Sequence, residues 1–395
     1  MHTLPAPYRQ RAPLPPRRRY RLRRLLAALL AIVVVVVALV CISLVGALRT
    51  PGNQSFQAKW ADWLRAHHAA VIANAVEQYY YNHHAPPKGG RPAALNSVPP
   101  PSGRPSAAPT ASLPRPAPIP LVVTPGLPGE GQWTPAGAVV HGVPALYVAQ
   151  FRADDTYTSQ ITSAVWIDPT LVRVALVPGA QEPGGTWPQP PDVTGAALST
   201  IVAAFNGGFR MADAHGGFYL DGRQAIPLQP GAASMVIYSD GHLNIGTWGS
   251  EVTMTPQVTA VLQNLVPIVD HGQTAPDATY SDTQIWGATL GANTVVPRSG
   301  VGVTATGALV YVAGPALTAR SLAESLQRAG AIRAMALDIN PEWVTFNFYG
   351  HPNPADPNQI NAAKLYPQMQ RPADRYLGPT RESRDFFTVS LPGPT

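Results

Sequence analysis

The chain has 395 residues, enough for two or three domains, and carries 28 basic against 22 acidic residues. The positive charge is concentrated at the amino terminus, because residues 1–24 contain eight arginines and no acidic residue. The rest of the chain is slightly acidic, which excludes nucleic acid as a partner, since a nucleic-acid-binding body needs a basic face. The single cysteine, Cys41, lies in an apolar run, which excludes intramolecular disulfides, cysteine-based zinc sites and a cysteine nucleophile in a folded domain.

The first predicted element is a membrane-spanning helix at residues 25–48, which carry no charge. A helix of this length reaches about 36 Å, enough to cross a hydrocarbon core of about 30 Å. The arginines of residues 1–24 directly precede it, which predicts a cytoplasmic N-terminus, contact with membrane lipid and an extracytoplasmic remainder. A cleaved signal peptide is the alternative, with Val45 and Ala47 as small residues near a cleavage site. We favour the retained anchor, because the apolar core of a signal peptide is typically about 7–15 residues long.

Residues 55–84 have apolar side chains at three- and four-residue steps, which predicts an amphipathic juxtamembrane helix with Ser55 as its N-cap. This helix is expected to lie on the lipid headgroups, or to pack on the body or on a second copy of the chain. The histidine pairs at 67–68 and 83–84 are interpreted as solvated, because no carboxylate or cysteine partner recurs beside them at ligand spacing.

Residues 85–128 are predicted to form a disordered or polyproline linker, because residues 86–128 contain fourteen prolines. Such a segment would project the following body away from the membrane.

Residues 129–395 are predicted to form one α+β domain with a mixed or antiparallel sheet and few helices. Asp-Gly pairs between β-rich runs predict hairpins at 221–222 and 240–241, and a further hairpin turn is predicted at 305–308. One helix is predicted from the N-cap Thr318 to Gly330. A short buried strand, 334–339, is expected to follow it.

Three polar segments of this body could carry chemistry. The first is Asn206-Gly207-Gly208, which follows an apolar stretch. The two glycines would allow a positive φ and a close approach to another group, so that Asn206 could present its amide to a ligand oxygen. A plain Asn-Gly turn is the alternative.

The second and third segments supply charge. Arg298-Ser299 could aim a guanidinium at a phosphate or carboxylate, or could form a surface salt bridge. Asp338 and Glu342, with Asn340 between them, resemble the carboxyl pair that glycosidic cleavage uses as acid and base or nucleophile. A structural Asp338 and an exposed Glu342 are the alternative. The sequence contains no Gly-x-Ser-x-Gly elbow, Walker loop or His-Glu-x-x-His motif.

In their order along residues 160–350 these motifs resemble the phosphodiester glycosidase family. The resemblance rests on Asn-Gly-Gly-Phe at 206–209, the hairpin Gly-Phe-Tyr-Leu-Asp-Gly at 217–222, Arg298-Ser299, and Leu-Asp at 337–338 after a helix. One departure is that the family's glycine run after Leu-Asp is replaced by Ile-Asn-Pro-Glu at 339–342. If the glycine amides cradle a phosphate, that cradle is missing here.

The resemblance implies a hydrolase of phosphodiester-linked sugars. Together with the predicted membrane helix at residues 25–48, this predicts a membrane-anchored, extracytoplasmic enzyme of the cell envelope. A non-catalytic protein that binds a glycan or an envelope polymer, or acts as a scaffold, is the alternative. The sequence leaves the oligomeric state and any metal requirement open, including a divalent cation. The residues assigned to the site are Asp338 and Glu342 as catalytic groups, and Asn206, Gly207, Gly208, Arg298, Ser299 and Asn340 as substrate-binding groups.

Overall fold

The computed structural model describes residues 17–50, 54–101, 112–279, 295–353, 356 and 358–392. The beginning of the predicted arginine-rich tail (1–16) and part of the predicted linker (102–111) lie outside these residues. The chain divides into two units, which are Met1–Pro51 with Phe56–Ala70 and Gly52–Ser55 with Val71–Thr395.

The first unit contains helices α1 (Arg17–Arg49) and α2 (Phe56–Ala66). Within the described residues, the segment Tyr20–Arg49 is the one helix long and apolar enough to cross a membrane, as a membrane anchor or a signal sequence would be. Helix α2 packs on its end, where Trp60 Nε1 donates a hydrogen bond of 3.0 Å to Ser43 Oγ. Gly46 allows the Trp63 ring to approach, because a Cβ at residue 46 would overlap it.

Residues 55–84 form two helices where the sequence predicts one. Helix α2 ends at Ala66, and helix α3 spans Ala70–His83. His68 takes a positive φ of 60°, and the N–H of Ala69 bonds to the carbonyl of Leu64 at 2.8 Å. This pattern is a Schellman cap, which ends a helix by turning the chain away from its axis.

The body contains three sheets, in which every strand pairing of the described residues is antiparallel. The α+β class predicted from the sequence is therefore confirmed. The strands of the first half are β1 (Thr134–Val140), β2 (Val143–Phe151), β3 (Thr162–Ile167), β4 (Arg173–Val177), β5 (Ile201–Asn206), β6 (Phe218–Leu220), β7 (Arg223–Ile226), β8 (Ala233–Tyr238) and β9 (Leu243–Thr247). The remaining strands are β10 (Val258–Gln263), β11 (Pro267–Asp270), β12 (Gln273–Thr274), β13 (Val296–Thr304), β14 (Leu309–Leu317), β15 (Ala331–Ala336), β16 (Phe346–Gly350), β17 (Asn361–Lys364) and β18 (Phe386–Ser390). The first sheet has the order β1-β2-β3-β14-β13-β15-β11-β12, the second β7-β6-β10-β8-β9 and the third β17-β16-β5-β18-β4.

The predicted hairpins and the predicted helix are confirmed. Strands β6 and β7 pair across Asp221 and Gly222, which both take the positive φ that a tight two-residue turn requires. The hairpins β8–β9 and β13–β14 also form. Besides the short helix α4 (Met211–Ala214), the body has helix α5 (Ala319–Arg328), which begins at a capping box between Thr318 and Ser321.

Helix α5 packs closely on the first sheet because β13 carries Gly300 where the helix crosses it. A Cβ at Gly300 would lie 2.9 Å from Leu326 Cδ1 of the helix, and a Cβ at Gly302 would lie 2.6 Å from the Ala331 methyl group of the neighbouring strand β15. These glycines therefore have a packing role, and the buried Leu322 and Leu326 fill the resulting contact.

The described part of the proline-rich segment lies against the body. The N–H of Ile119 bonds to the Gly131 carbonyl at 2.8 Å, and Ile119 is buried. Arg152 forms a buried ion pair of 2.8 Å with Glu130 and donates to the carbonyls of Val123 and Pro125. These contacts limit the tether predicted from the sequence, since residues 112–128 follow the surface of the body rather than projecting from it.

Candidate active site

The ends of three strands meet at one pocket. Strand β5 ends at Asn206, β15 is followed by Asp338, and β18 is preceded by Asp385. The pocket has room for little more than a water molecule. Its lining consists of Asn206, Gly207, Gly208, Asp338, Trp343, Arg375, Tyr376, Glu382, Arg384 and Asp385.

Asn206 lines the pocket, but its amide is used by the protein framework. The Nδ2 atom donates to the Gly207 carbonyl at 2.8 Å and to Ser299 Oγ at 3.1 Å. The Oδ1 atom accepts from the Tyr311 hydroxyl at 2.9 Å and from the Thr345 N–H at 3.1 Å. Asn206 therefore ties β5 to β13 and β14, and its amide holds the pocket wall in place.

Ser299 connects Asn206 to Asp338. Its Oγ accepts from the Asp338 N–H at 3.2 Å, and its backbone N–H donates to the Asp338 carbonyl at 2.9 Å. The structure thus brings together Asn206, Ser299 and Asp338, which lie far apart in the sequence.

Asp338 is a buried carboxylate held on both oxygens. Oδ1 accepts from the N–H groups of Ile339 and Asn340 at 2.7 and 2.8 Å. Oδ2 forms an ion pair of 2.8 Å with Arg384 Nη1. Burial raises the pKa of Asp338, and the positive charge of Arg384 and the two N–H groups oppose this shift.

Asp385 is a second buried carboxyl group, with a different environment. Neither of its oxygens has a geometrically well-formed hydrogen bond among the described residues. Burial raises the pKa of Asp385 to about 8, and the negative charge of Glu182 adds to this effect. The charge of Arg384 and the nearby Gly208 N–H oppose it only in part. Burial therefore favours the protonated form of Asp385 near neutral pH.

The glycines of the Asn-Gly-Gly segment allow close approach and do not supply a positive φ. Neither Gly207 nor Gly208 has a left-handed backbone. A Cβ at Gly207 would lie 1.9 Å from Asp385 Oδ2, and a Cβ at Gly208 would lie 3.0 Å from Asn264 Oδ1. The expectation of a close approach holds, and the group approached is Asp385.

The remaining charges form a buried network. Arg375 Nε and Nη2 contact Glu382 Oε2 at 2.8 and 2.7 Å, and both side chains are 1% exposed. The guanidinium carbons of Arg384 and Arg375 lie 4.1 and 4.9 Å from the centre of the Trp343 ring. Asp192 holds the adjoining loop by accepting the N–H of Glu382 at 2.8 Å.

Four residues assigned from the sequence do not line the pocket, which are Ser299, described above, and Arg298, Asn340 and Glu342. Arg298 is 1% exposed and donates from Nε to the Leu317 carbonyl at 2.9 Å. Asn340 accepts the Glu342 N–H on its own side chain at 3.0 Å. The carboxylate of Glu342 accepts the Ser55 hydroxyl and, at 2.9 Å, the Ser55 N–H.

Arg375, Glu382, Arg384 and Asp385 were missed by sequence reasoning. One local signal was present, because Arg384 and Asp385 directly precede the apolar run Phe386–Val389, much as Asp338 directly follows one. Charged residues are therefore candidates for a site both where they directly precede a buried strand and where they directly follow one.

Possible metal ligands in the described residues gather elsewhere. Glu251, Asp270 and His271 have ligand atoms within 4.8 Å of one another, but none lines the pocket. Arg333 Nε already lies 2.7 Å from Glu251 Oε1, so a cation would meet a resident positive charge there.

Residues 199–338 match the model of the phosphodiester glycosidase family, and the resemblance predicted from the sequence is confirmed. No curated protein matches the chain. Among solved structures, the zebrafish N-acetylglucosamine-1-phosphodiester α-N-acetylglucosaminidase catalytic domain auto-inhibited by its pro-peptide is 15% identical, with a TM-score of 0.40 over 64% of this chain and 84% of that one. A hypothetical protein from Synechocystis is 12% identical, with a TM-score of 0.35 over 66% of this chain and 64% of that one. A putative exported protein from Burkholderia pseudomallei is 13% identical, with a TM-score of 0.30 over 59% and 74%.

Proposed function

We propose that this protein is a membrane-anchored, extracytoplasmic hydrolase of phosphodiester-linked sugars. The observation that carries the proposal is the pair of buried carboxyl groups in one pocket, Asp338 in an ion pair with Arg384 and Asp385 with a pKa raised by burial. Glycosidic cleavage uses two carboxyl groups whose environments separate their protonation states. The family match over residues 199–338 supports the same class of reaction.

The proposed reaction breaks the bond between the anomeric carbon and the phosphate oxygen. Water supplies the hydroxyl group that the sugar retains, its other proton restores the Asp385 carboxyl group, and the phosphate leaves as a monoester. Asp385 donates its proton to the departing oxygen, and the Asp338 carboxylate stabilises the positive charge that develops at the anomeric carbon. This assignment replaces Glu342 by Asp385 as the partner of Asp338, because the Glu342 carboxylate is bound to Ser55.

Phosphate recognition is assigned to arginine side chains. The N–H groups of Ile339 and Asn340, which stand where the family has glycines, are bound to Asp338 itself. Arg384 uses Nη1 for Asp338, and a guanidinium has five N–H donors, so further donors remain for a phosphate oxygen. Arg384 therefore takes the role that the sequence suggested for Arg298.

Turnover of glycosyl phosphodiesters tests the proposal. The full chain in detergent is incubated with N-acetylglucosamine 1-phosphodiesters and related sugars, and free sugar and phosphate monoester are measured. We expect wild-type turnover and a loss of at least about 100-fold in Asp338→Ala. Asp221→Asn, in an exposed turn away from the pocket, is the matched control and should retain activity. Absence of turnover by the wild type, or full activity of Asp338→Ala, would overturn the assignment.

Attachment to the membrane and the side on which the body lies are tested separately. Alkaline phosphatase fused after residue 392 should be active only if the C-terminus lies outside the cytoplasm. Extraction of the full chain by carbonate rather than by detergent would contradict a retained anchor.

A second candidate is a non-catalytic glycan-binding protein. The missing glycine run favours it, because the backbone donors after Asp338 are already used. Specific binding on a glycan array, without product formation from any bound glycan, would select this function.

A further inference from the structure

Helix α3 exposes an apolar stripe to solvent and turns a side that includes a charged residue toward the body, which is the opposite of an ordinary surface helix. Its exposed stripe contains Ile72, Val76, Tyr79 and Tyr80, which are 55%, 49%, 66% and 52% exposed. The side turned toward the body includes the partly buried Glu77. A helix on the surface of a soluble domain normally buries its apolar stripe, so this one is built to meet a further apolar phase.

We propose that the exposed stripe of α3 binds the lipid bilayer that α1 crosses, and that the pocket acts on glycosyl phosphodiesters whose lipid portion lies in that bilayer. The substrate class rests on the proposed function, whereas lipid binding by α3 does not.

The position of α3 in the chain favours lipid as the occupant. Only residues 50–69 separate α1 from α3, so a bilayer crossed by α1 holds α3 close to its surface. The stripe carries two tyrosines, which favour the membrane interface, and no carboxylate. The exposed His83, His84 and Lys88 at its end could approach anionic headgroups.

The pocket lies near the same surface. Burial raises the pKa of Tyr81, on the inner side of α3, and the negative charges of Glu77, Asp338 and Glu342 add to this shift. Ser55 is hydrogen-bonded to Glu342 and comes six residues after the end of α1. Six extended residues reach at most about 20 Å. A bilayer crossed by α1 would therefore lie within that distance of Glu342, which directly precedes the pocket residue Trp343.

Lipid contact is tested in vesicles of phosphatidylcholine and phosphatidylglycerol that contain the full chain. In a Cys41→Ala background, Val76→Cys and Gln78→Cys are each labelled with an environment-sensitive fluorophore. Gln78 is exposed on the other side of the same helix, which makes it the matched control. We expect spin-labelled lipid to quench the label at residue 76 at least about threefold more than the label at residue 78. Equal quenching, or crosslinking between copies at residue 76 without quenching, would overturn lipid binding.

Substrate class is tested by comparing two glycosyl phosphodiesters, one water-soluble and one lipid-linked in the vesicles. We expect the Val76→Ser/Tyr79→Ser double variant to lose at least about tenfold of turnover on the lipid-linked substrate only. Gln78→Ser should change neither rate. Wild-type turnover of only the soluble substrate, or an equal loss on both in the double variant, would overturn the lipid-linked class. If the wild type cleaves neither substrate, the proposed function and this substrate class both fail, while the quenching result still decides lipid binding.

Discussion

The side of the pocket built by residues 206–338 and the side built by residues 375–385 differ in how their polar groups are used. On the first side, the amide of Asn206 has every donor and acceptor bound within the protein. On the second side, Asp385 has both carboxyl oxygens without a well-formed hydrogen bond among the described residues. The first side is thus a completed framework, and the second side retains hydrogen-bonding capacity for a ligand.

This difference separates residues that hold the site from residues that could act in it. A buried polar group without a partner is costly, and native proteins keep such groups mainly where function uses them. The motif that carries the family resemblance therefore contributes mostly architecture, apart from Asp338. The following substitutions test that division.

Asp385→Asn should remove the proton donor while keeping the size of the side chain. We expect turnover to fall by about 10²- to 10⁴-fold, which is the usual contribution of a general acid. The wild-type rate should also decline above pH 8, because the pKa of Asp385 is about 8. A wild-type rate that stays constant through pH 9.5, or an active Asp385→Asn, would show that Asp385 is not the donor.

Arg375→Met should destabilise the body by about 3–5 kcal/mol, because it leaves the buried Glu382 carboxylate without the positive charge of its ion-pair partner. Urea unfolding of the body measures the change. Replacing both members, as Arg375→Met/Glu382→Leu, should recover part of the loss. Arg320→Met, in the exposed pair with Glu324, is the control and should leave stability unchanged.

Asp385 should also make the stability of the body depend on pH. Its pKa is about 8 in the folded chain and about 3.9 when unfolded, so between these values only the folded state retains the proton. The free energy of unfolding should therefore fall as the pH rises from 5 to 8, by up to about 1.4 kcal/mol per pH unit. Asp385→Asn should flatten this slope, and an unchanged slope would contradict the raised pKa.

Gly207→Ala should cost about 1–3 kcal/mol, because the new methyl group would overlap the Asp385 carboxyl group. Gly208→Ala should cost less, since its Cβ would lie 3.0 Å from Asn264 Oδ1. Equal losses in thermal unfolding for the two variants would show that the contact with Asp385 is not what requires glycine at residue 207.

Local signals in the sequence predicted the elements that local physics controls. The Asp221-Gly222 turn forms because both residues accept a positive φ, and α5 begins where the Thr318 hydroxyl can cap it. The uncharged run at residues 25–48 is helical, as its uniform apolar composition predicts. Its placement in a membrane stays a prediction. One local signal was missed, the Schellman cap at His68, because histidine is not a usual residue for a left-handed helix end.

Only the tertiary structure determined the composition of the pocket. The sequence paired Asp338 with Glu342, four residues away, whereas the fold places Asp385 in the same pocket by pairing β18 with β5. Burial then raises the pKa of Asp385, and burial depends on contacts between residues far apart in the chain. Residue types and turn chemistry could indicate which side chains are candidates, but desolvation and long-range pairing decide which of them share a site.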